Sequence, residues 1–527
     1  MRTFLSLVFI ATILLLFDYI RKYNRRKEPI TKNYDLKMRM EDTSEIQNLV
    51  SGENLPASLE GKKYPSKAHN EKVKKIFQSV NLDLPVNSAV FIAGNEVEPI
   101  KYCDISHPFR QERYFYYLSG VDVPGSSILF NMKSNKLTLF LPLVDDDDVM
   151  WSGMPMGINE ALNTFDVDEV LYADKINEVF EKELTGFKVF TTDLDNIHDN
   201  SIKEKLVSGD KRFFKALDEA RLTKDSYEIE VLRHAAKITD NCHLAVISAL
   251  PIELNEYQVQ AEFEYHAGRQ NAHALGYDPI CCSGPACGTL HYVKNSEALH
   301  GKVSFLIDAG AEWKNYTTDV TRCFPISGKF TKEHREIYDA VLDMQTQTMQ
   351  NIRPGASWDE LHLLSHKVLI KHLLKIGIFR KEFSAEEIFR RRVTCVFYPH
   401  GLGHLMGLDV HDVAGNPNYE DPDPYFKYLR LRRTLEENMV LTDEPGCYFN
   451  EFLIKELLEK YPERLEVVDR DILNKYMYIG GVRIEDDILV TKAGFENLTG
   501  ITSDPDEIET IVQKSLSKRR SDFHVIV

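Results

Sequence analysis

Beyond about residue 60, apolar positions follow two spacings that take turns along the chain. Helical spacing marks Ile229, Leu232, Ala236, Ile238, Cys242 and Val246, and the residues before them, Asp225-Ser226-Tyr227-Glu228, read as a capping box. A second helix opens at Thr331, turns Ile337, Val341 and Leu342 inward, and stops at Pro354-Gly355. A third opens at Ser357-Trp358-Asp359-Glu360, carries Leu361, Leu364, Val368 and Leu373, and closes at Gly377. Residues 67–80 and 158–165 also read as helices. Short apolar or β-branched runs lie between: 89–94, 128–130, 137–140 and 189–192 early on, then 304–308, 316–324, 439–443 and 485–491. Lys133-Ser134-Asn135, between two of these runs, is a hairpin signal. The interleaving predicts a mixed α/β (α+β) protein, with a first domain over 61–212, a second over 213–505 and a tail over 506–527.

The N-terminus has a different texture. Residues 4–17 are a continuous apolar run, short for a comfortable span, with no small-residue cleavage pattern after it. Arg21, Lys22, Arg25, Arg26 and Lys27 follow, against Arg2 and the amino terminus on the near side. The positive-inside bias then predicts a single membrane anchor in residues 1–22, a polar linker over 23–60, and a catalytic part on the cytosolic side. Two glycosylation sequons, at Asn315 and Asn497, agree with that side. A glycan at the first would obstruct the candidate site described next.

Composition narrows the function classes. A chain of 527 residues exceeds one core. Its net charge of -17, with no basic face interleaved with aromatics, excludes nucleic acid as a partner. The eight cysteines are scattered without a C-x-x-C pair and read as reduced thiols. There is no G-x-G-x-x-G after a strand, no P-loop and no G-x-S-x-G elbow, so nucleotide binding and serine hydrolysis have no support. The acid run Asp145 to Asp148 reads as a solvated loop.

Four stretches carry chemistry. In S-F-L-I-D-A-G-A-E-W-K-N-Y-T-T-D-V-T-R (304–322), Asp308 ends one apolar strand and Asp319 sits inside the next. Taken alone, one aspartate could cap a turn and the other pair with Arg322. The segment 399–412 places His400, His404 and His411 among glycines, which permit close backbone approach. Glu444 ends a strand at a Pro-Gly turn, and Glu485 lies among apolar neighbours. Four buried carboxylates do not ionise together without cations. With one imidazole they make a hard, oxygen-rich site for two divalent metal ions, Mn²⁺ or similar.

With these motifs in hand, residues 61–505 resemble the Xaa-Pro peptidases of metallopeptidase family M24, closest to Xaa-Pro dipeptidase (prolidase) and aminopeptidase P. The likeness rests on F-R-Q-E with its aromatic run (109–118), then D-A-G, T-D-V-T-R, P-H-G-L-G-H-x-x-G-L-D-V-H-D, E-P-G-x-Y-F and G-G-V-R-I-E-D in that order. The resemblance implies a creatinase-like N-terminal domain, a "pita-bread" catalytic domain and a homodimer. It implies two Mn²⁺ ions held by Asp308, Asp319, His404, Glu444 and Glu485, with Asp319 and Glu485 bridging and Glu444 shuttling a proton. It further implies substrate-binding or catalytic places for Tyr277, His291, His400, His411 and Arg430. Val293-Lys294-Asn295 departs from the usual pattern after that histidine. The implied activity is hydrolysis of Xaa-Pro dipeptides, with aminopeptidase P action on longer peptides as the alternative. A non-catalytic binding module is a reading of another class.

Overall fold

The computed structural model describes residues 56–518. The expected membrane anchor is corrected here. Among the described residues no helix is long and apolar enough to cross a membrane. The apolar run 4–17 and its basic flank lie outside them, and the cytosolic placement drawn from those charges falls with the anchor.

Strand β1 (Ser88–Ala93) is almost wholly buried, as the uncharged run S-A-V-F-I-A demands. It is central in a six-stranded sheet of order β4-β3-β2-β1-β5-β6, with β2 at Ser127–Asn131, β3 at Lys136–Leu141, β4 at Glu169–Tyr172, β5 at Lys188–Thr191 and β6 at Leu206–Ser208. β1 to β3 form an antiparallel meander. β4 pairs parallel to β3, and β5 pairs parallel to β1 on its other side. The connection from β4 to β5 runs through the helix Ile176–Glu183. The acid run expected as a loop caps and opens a short exposed helix, Asp146–Ser152.

In the rest of the chain long helices cover small sheets. The capping box forms as read: Asp225 accepts from Tyr227 and Glu228, and Glu228 returns a bond, starting the helix Ser226–Ala249. Thr331 caps Lys332–Met349 and Ser357 caps Trp358–Ile376, which ends at Gly377 in the left-handed region. The strands are β7 (Ala274–Leu275), β8 (Ile280–Ser283), β9 (Ser304–Asp308), β10 (Ala311–Trp313), β11 (Tyr316–Thr317), β12 (Thr321–Pro325), β13 (Val440–Asp443), β14 (Gly446–Tyr448), β15 (Gly481–Arg483), β16 (Asp486–Thr491) and β17 (Gly494–Asn497). The helix Pro505–Ser515 buries Ile508 and Val512 against the core.

The two parts meet along the F-R-Q-E segment. Phe115, Tyr116, Tyr117 and Leu118 are core residues, as their spacing suggests. Arg110 and Arg113 reach across to Glu312, at 2.5 and 2.8 Å, and Arg113 donates to Asn315 Oδ1. The first domain thus grips the β10–β11 hairpin, which lies in sequence between Asp308 and Asp319. His69, on the helix Ser66–Val80, adds a buried contact of 3.0 Å to the helix cap Asp225.

Candidate metal centre

The ladder explains how five distant residues converge. β9 pairs β12 so that Asp308 faces Thr321. Thr321 in turn bridges to Glu485. β13 pairs β16 with Asp443 opposite Asp486, which sets Glu444 and Glu485 side by side at the ends of partnered strands. Leu405 bridges to Leu441, and Glu444 N–H donates to the Leu402 carbonyl, so the histidine segment runs along β13. Gly403 permits this approach, because a Cβ there would lie 2.0 Å from the Thr442 oxygen.

One expectation changes. Residues 316–324 are not a single strand with Asp319 inside it. The chain breaks between β11 and β12, and Asp319 sits in the break. The Thr318 carbonyl turns toward Gly310, where a Cβ would stand 1.7 Å from that oxygen. Glu444 and Glu485 also fall just past strand ends, and only Asp308 lies within a strand. Strand interiors alternate their side chains between faces, whereas ends and breaks let neighbouring carboxylates turn toward one point. Arg322 does not pair with Asp319. It is buried on Asp486 at 2.7 Å and donates to the Glu485 carbonyl, tying β12 to the Glu485 segment.

Asp308, Asp319, His404 and Glu485 are buried and Glu444 nearly so. Tyr277 donates its hydroxyl proton to Asp308, at 2.6 Å, and to Asp319. Thr321 donates to Glu485 at 2.6 Å. Burial first, and Asp308 next, push the Asp319 carboxyl well above the usual carboxylate range. Burial and the charge of Asp319 do the same to Glu485. Glu444 is pushed up by burial to about 7, although His404 and Arg483 pull it down. Each raised carboxyl must hold a proton or face a cation.

His404 faces these carboxyls with a lone pair of its own. Its Nδ1 lies 3.0 Å from the Leu405 carbonyl, which only accepts, so that nitrogen carries the proton. Burial lowers the imidazole pKa, leaving Nε2 a bare lone pair. Nε2 nevertheless stands 3.3 Å from Asp319 Oδ2 and 3.5 Å from Glu444 Oε1. A proton on one carboxyl would satisfy one of these contacts, and a cation between the three would satisfy all of them with both carboxylates ionised. Asp319, His404 and Glu485 each offer a ligand atom, all within 4.8 Å of one another. This donor set, four carboxylates and an imidazole anchored from behind through its second nitrogen, fits a hard divalent metal.

One cation of the chain is already present. Arg483 donates to Asp308 at 2.5 Å, to Tyr448 at 3.0 Å and to Thr321 at 3.0 Å. A single guanidinium does not balance four carboxylates, so the demand for metal remains. Sequence reading passed over Arg483, Thr321 and Tyr448. Arg483 was open to view, since it precedes Glu485 by two residues on an extended segment and shares its face.

The remaining expected residues border one cavity of about 340 Å³, lined by His291, His400, His411, Arg430 and the carboxylates. His411 packs edge-on against His404, with ring centroids 4.5 Å apart. His400 bonds Tyr448 Oη at 2.8 Å and the Gly401 carbonyl at 2.7 Å. Burial keeps both imidazoles neutral, pushing them to about 2 and about 3. Tyr277 stands apart from these. It does not border the cavity but braces two carboxylates from behind.

Family models match on both sides of the domain junction: metallopeptidase family M24 over residues 230–492, and the aminopeptidase P N-terminal domain over 69–190. An uncharacterised peptidase of Saccharomyces cerevisiae is 61% identical over 99% of each chain. The chain belongs to metallopeptidase family M24. A probable Xaa-Pro aminopeptidase of Tuber melanosporum is 42% identical over 87% of this chain and 99% of its own. Among solved structures, Escherichia coli aminopeptidase P with the inhibitor Pro-Leu superposes with a TM-score of 0.71 at 28% identity, covering 87% of this chain and 100% of that one. The M24 fold here is therefore the aminopeptidase P-like pairing of an N-terminal domain with a pita-bread domain, and the enzyme is a metallopeptidase hydrolase of that type. The leading expectation of a dipeptidase is not confirmed, and the aminopeptidase alternative fits better, since the Tuber melanosporum relative and the Escherichia coli structure are named for aminopeptidase action.

Proposed function

We propose that this M24 enzyme removes the first residue from peptides whose second residue is proline, as an Xaa-Pro aminopeptidase. The observation that carries the reading is the His404 lone pair set against Asp319 and Glu444, which calls for a metal. Asp308, Asp319, His404, Glu444 and Glu485 would hold it, with two Mn²⁺ ions as the proposed complement. When bound, such ions supply Lewis acidity and bring the pKa of water toward neutrality.

The chain's own residues do the rest. Glu444, at the cavity wall, takes a proton from water and returns it to the proline nitrogen as the bond breaks. Neutral His411, at the cavity wall, donates a hydrogen bond to the developing oxyanion. His291 borders the same cavity and contacts substrate there. His400 fixes Tyr448, and Tyr448 accepts from Arg483, so this row holds the Asp308 side of the site. A proline nitrogen in a peptide bond has no N–H, so the pocket accepts it by shape without a backbone acceptor.

Space favours longer substrates. A second cavity of about 360 Å³ shares His404, His411, Tyr419 and Arg430 with the first and continues past them along 413–417. A dipeptide ends at its proline, whereas a longer peptide has chain to place there. Arg430 stands at the junction with no ion-pair partner among the described residues, and is placed to meet a carboxylate or carbonyl of the departing peptide. The test is a panel of Ala-Pro-Ala, Gly-Pro and Ala-Ala-Ala with Mn²⁺-loaded enzyme. The tripeptide containing proline should exceed the dipeptide by at least about tenfold in kcat/KM. Preference for Gly-Pro would return the dipeptidase reading, and cleavage of none would remove both.

A further inference from the structure

His291 borders the metal-centre cavity as an exposed side chain, with no hydrogen bond or ion pair of its own among the described residues. Its place is therefore set by the backbone that carries it. Residues 292–297 belong to no helix or strand, and no residue from 290 to 296 makes a backbone-to-backbone hydrogen bond. A segment without a ladder of its own takes its shape from the side chains that reach it. The approach to His291 is held by the 3₁₀ turn Gly284–Gly288, where Asn450 donates to the Gly288 carbonyl at 3.0 Å. The exit from it is held by Glu256.

Glu256 is the first residue of the helix Glu256–Arg269 and is fully buried. Its Oε2 accepts from the Tyr292 hydroxyl at 2.8 Å and from the Glu297 N–H at 2.9 Å. Its Oε1 accepts from the Ser283 hydroxyl at 2.7 Å. Its own N–H donates to the Glu297 carbonyl at 3.0 Å. One oxygen thus closes the segment from the residue after His291 to its far end. A buried carboxyl with no ion-pair partner among the described residues is costly, and three donors converging on it offset that cost. Ser283 ends β8, which pairs with β9, the strand of Asp308. The clasp therefore fixes the segment beyond His291 relative to a strand that carries a candidate metal ligand. Asn295 supports the middle of the segment from the same strand, accepting from the Cys281 N–H at 3.0 Å and donating to the Pro279 carbonyl at 2.7 Å.

We infer that Glu256 is a positioning residue for the hydrolysis: through Tyr292 it holds His291 against the substrate, at a fixed offset from Asp308. The inference rests on the substrate role proposed for His291 above. Neither Glu256 nor Tyr292 borders the cavity, so their effect on turnover passes through what they hold.

The test uses Mn²⁺-loaded full-length enzyme and Ala-Pro-Ala, with Tyr292→Phe, Glu256→Gln and His291→Ala made singly, and each of the first two combined with the third. Tyr292→Phe is the least disturbing, because it keeps a half-buried ring and removes only the hydroxyl that Glu256 holds. Tyr292→Phe should lower kcat/KM at least about fivefold and Glu256→Gln at least about tenfold, with metal content at the wild-type level. In the His291→Ala background, followed at enzyme concentrations high enough for slow turnover, each should cost less than about a further twofold, because the group they hold is gone. Packing unrelated to His291 would instead multiply the losses. The inference is overturned by wild-type kcat/KM in either variant, by reduced metal content, or by losses that multiply in full with His291→Ala. Full turnover by His291→Ala alone would remove the role of His291, and this inference with it, while the peptidase reading stands. Failure of the wild type to cleave Ala-Pro-Ala would remove both.

Discussion

Gly310 and Asp319 show how narrowly single residues govern this site. The chain leaves β9, makes the β10–β11 hairpin and returns so close to Gly310 that a Cβ there meets the Thr318 oxygen at 1.7 Å. Gly310→Ala should therefore force the backbone apart just before Asp319. The expected cost is about 1–3 kcal/mol in stability, as for overpacked interiors, read as a lowered unfolding midpoint together with weaker metal binding. His411 offers a different kind of test, because it is proposed to act only on the transition state. His411→Ala should lower kcat by about 10²–10³ with metal content unchanged, the scale expected for losing one oxyanion donor. A fall confined to KM would assign His411 to ground-state binding instead. At this scale the sequence was most legible. Asp308, Asp319, His404, Glu444 and Glu485 were all picked out from their odd placement among apolar or glycine-rich neighbours, and the structure gathers them. Arg483, Thr321 and Tyr448 were missed because a buried arginine, threonine or tyrosine reads as packing until its partner is known.

At the scale of elements, helix starts were readable and strand breaks were not. Asp225, Thr331 and Ser357 cap the helices assigned to them because capping is local, a side-chain oxygen meeting a backbone N–H two or three residues on. The break between β11 and β12 depends on Gly310 and on a carbonyl eight residues away in sequence, so periodicity saw one strand where there are two. Asp225 carries a double load. It caps Ser226–Ala249 and also accepts from His69. Asp225→Ala should thus cost more than the roughly 1 kcal/mol of a lost cap. Asp225→Asn, which keeps the cap but not the charge, should recover only part of it in chemical denaturation. An Asp225→Asn midpoint equal to the wild-type one would show that the His69 contact contributes nothing.

Across the whole molecule, the seam between the domains has its own pH dependence. Burial alone would lower the His69 pKa, but hydrogen bonds and charge from Asp225 and Glu228 outweigh it and raise the group to about 9, from an ordinary value near 6.5. A histidine raised on folding stabilises most below its unfolded pKa. That contribution is full below about pH 6.5 and fades as pH rises through 9, with a ceiling on the order of 3 kcal/mol. Wild-type protein should lose stability between pH 6.5 and 9 more steeply than His69→Gln, measured as unfolding midpoints across that range. Parallel profiles would show that His69 is neutral in the fold. The two-domain order was legible from alternating helix and strand patterns. The grip of Arg110 and Arg113 on Glu312 was not, since nothing local marks charges that meet across some two hundred residues.

The claim on which the functional account depends is that this pocket of carboxylates is completed by divalent metal. Mn²⁺ titration calorimetry on chelator-stripped protein, wild type beside Asp319→Asn, tests it most directly. The account predicts saturable binding at micromolar concentration or tighter to wild type, loss of that binding in the variant, and return of Ala-Pro-Ala hydrolysis only where the metal is bound. Wild-type protein that takes up no metal, or an Asp319→Asn variant that binds it equally well, would contradict the account.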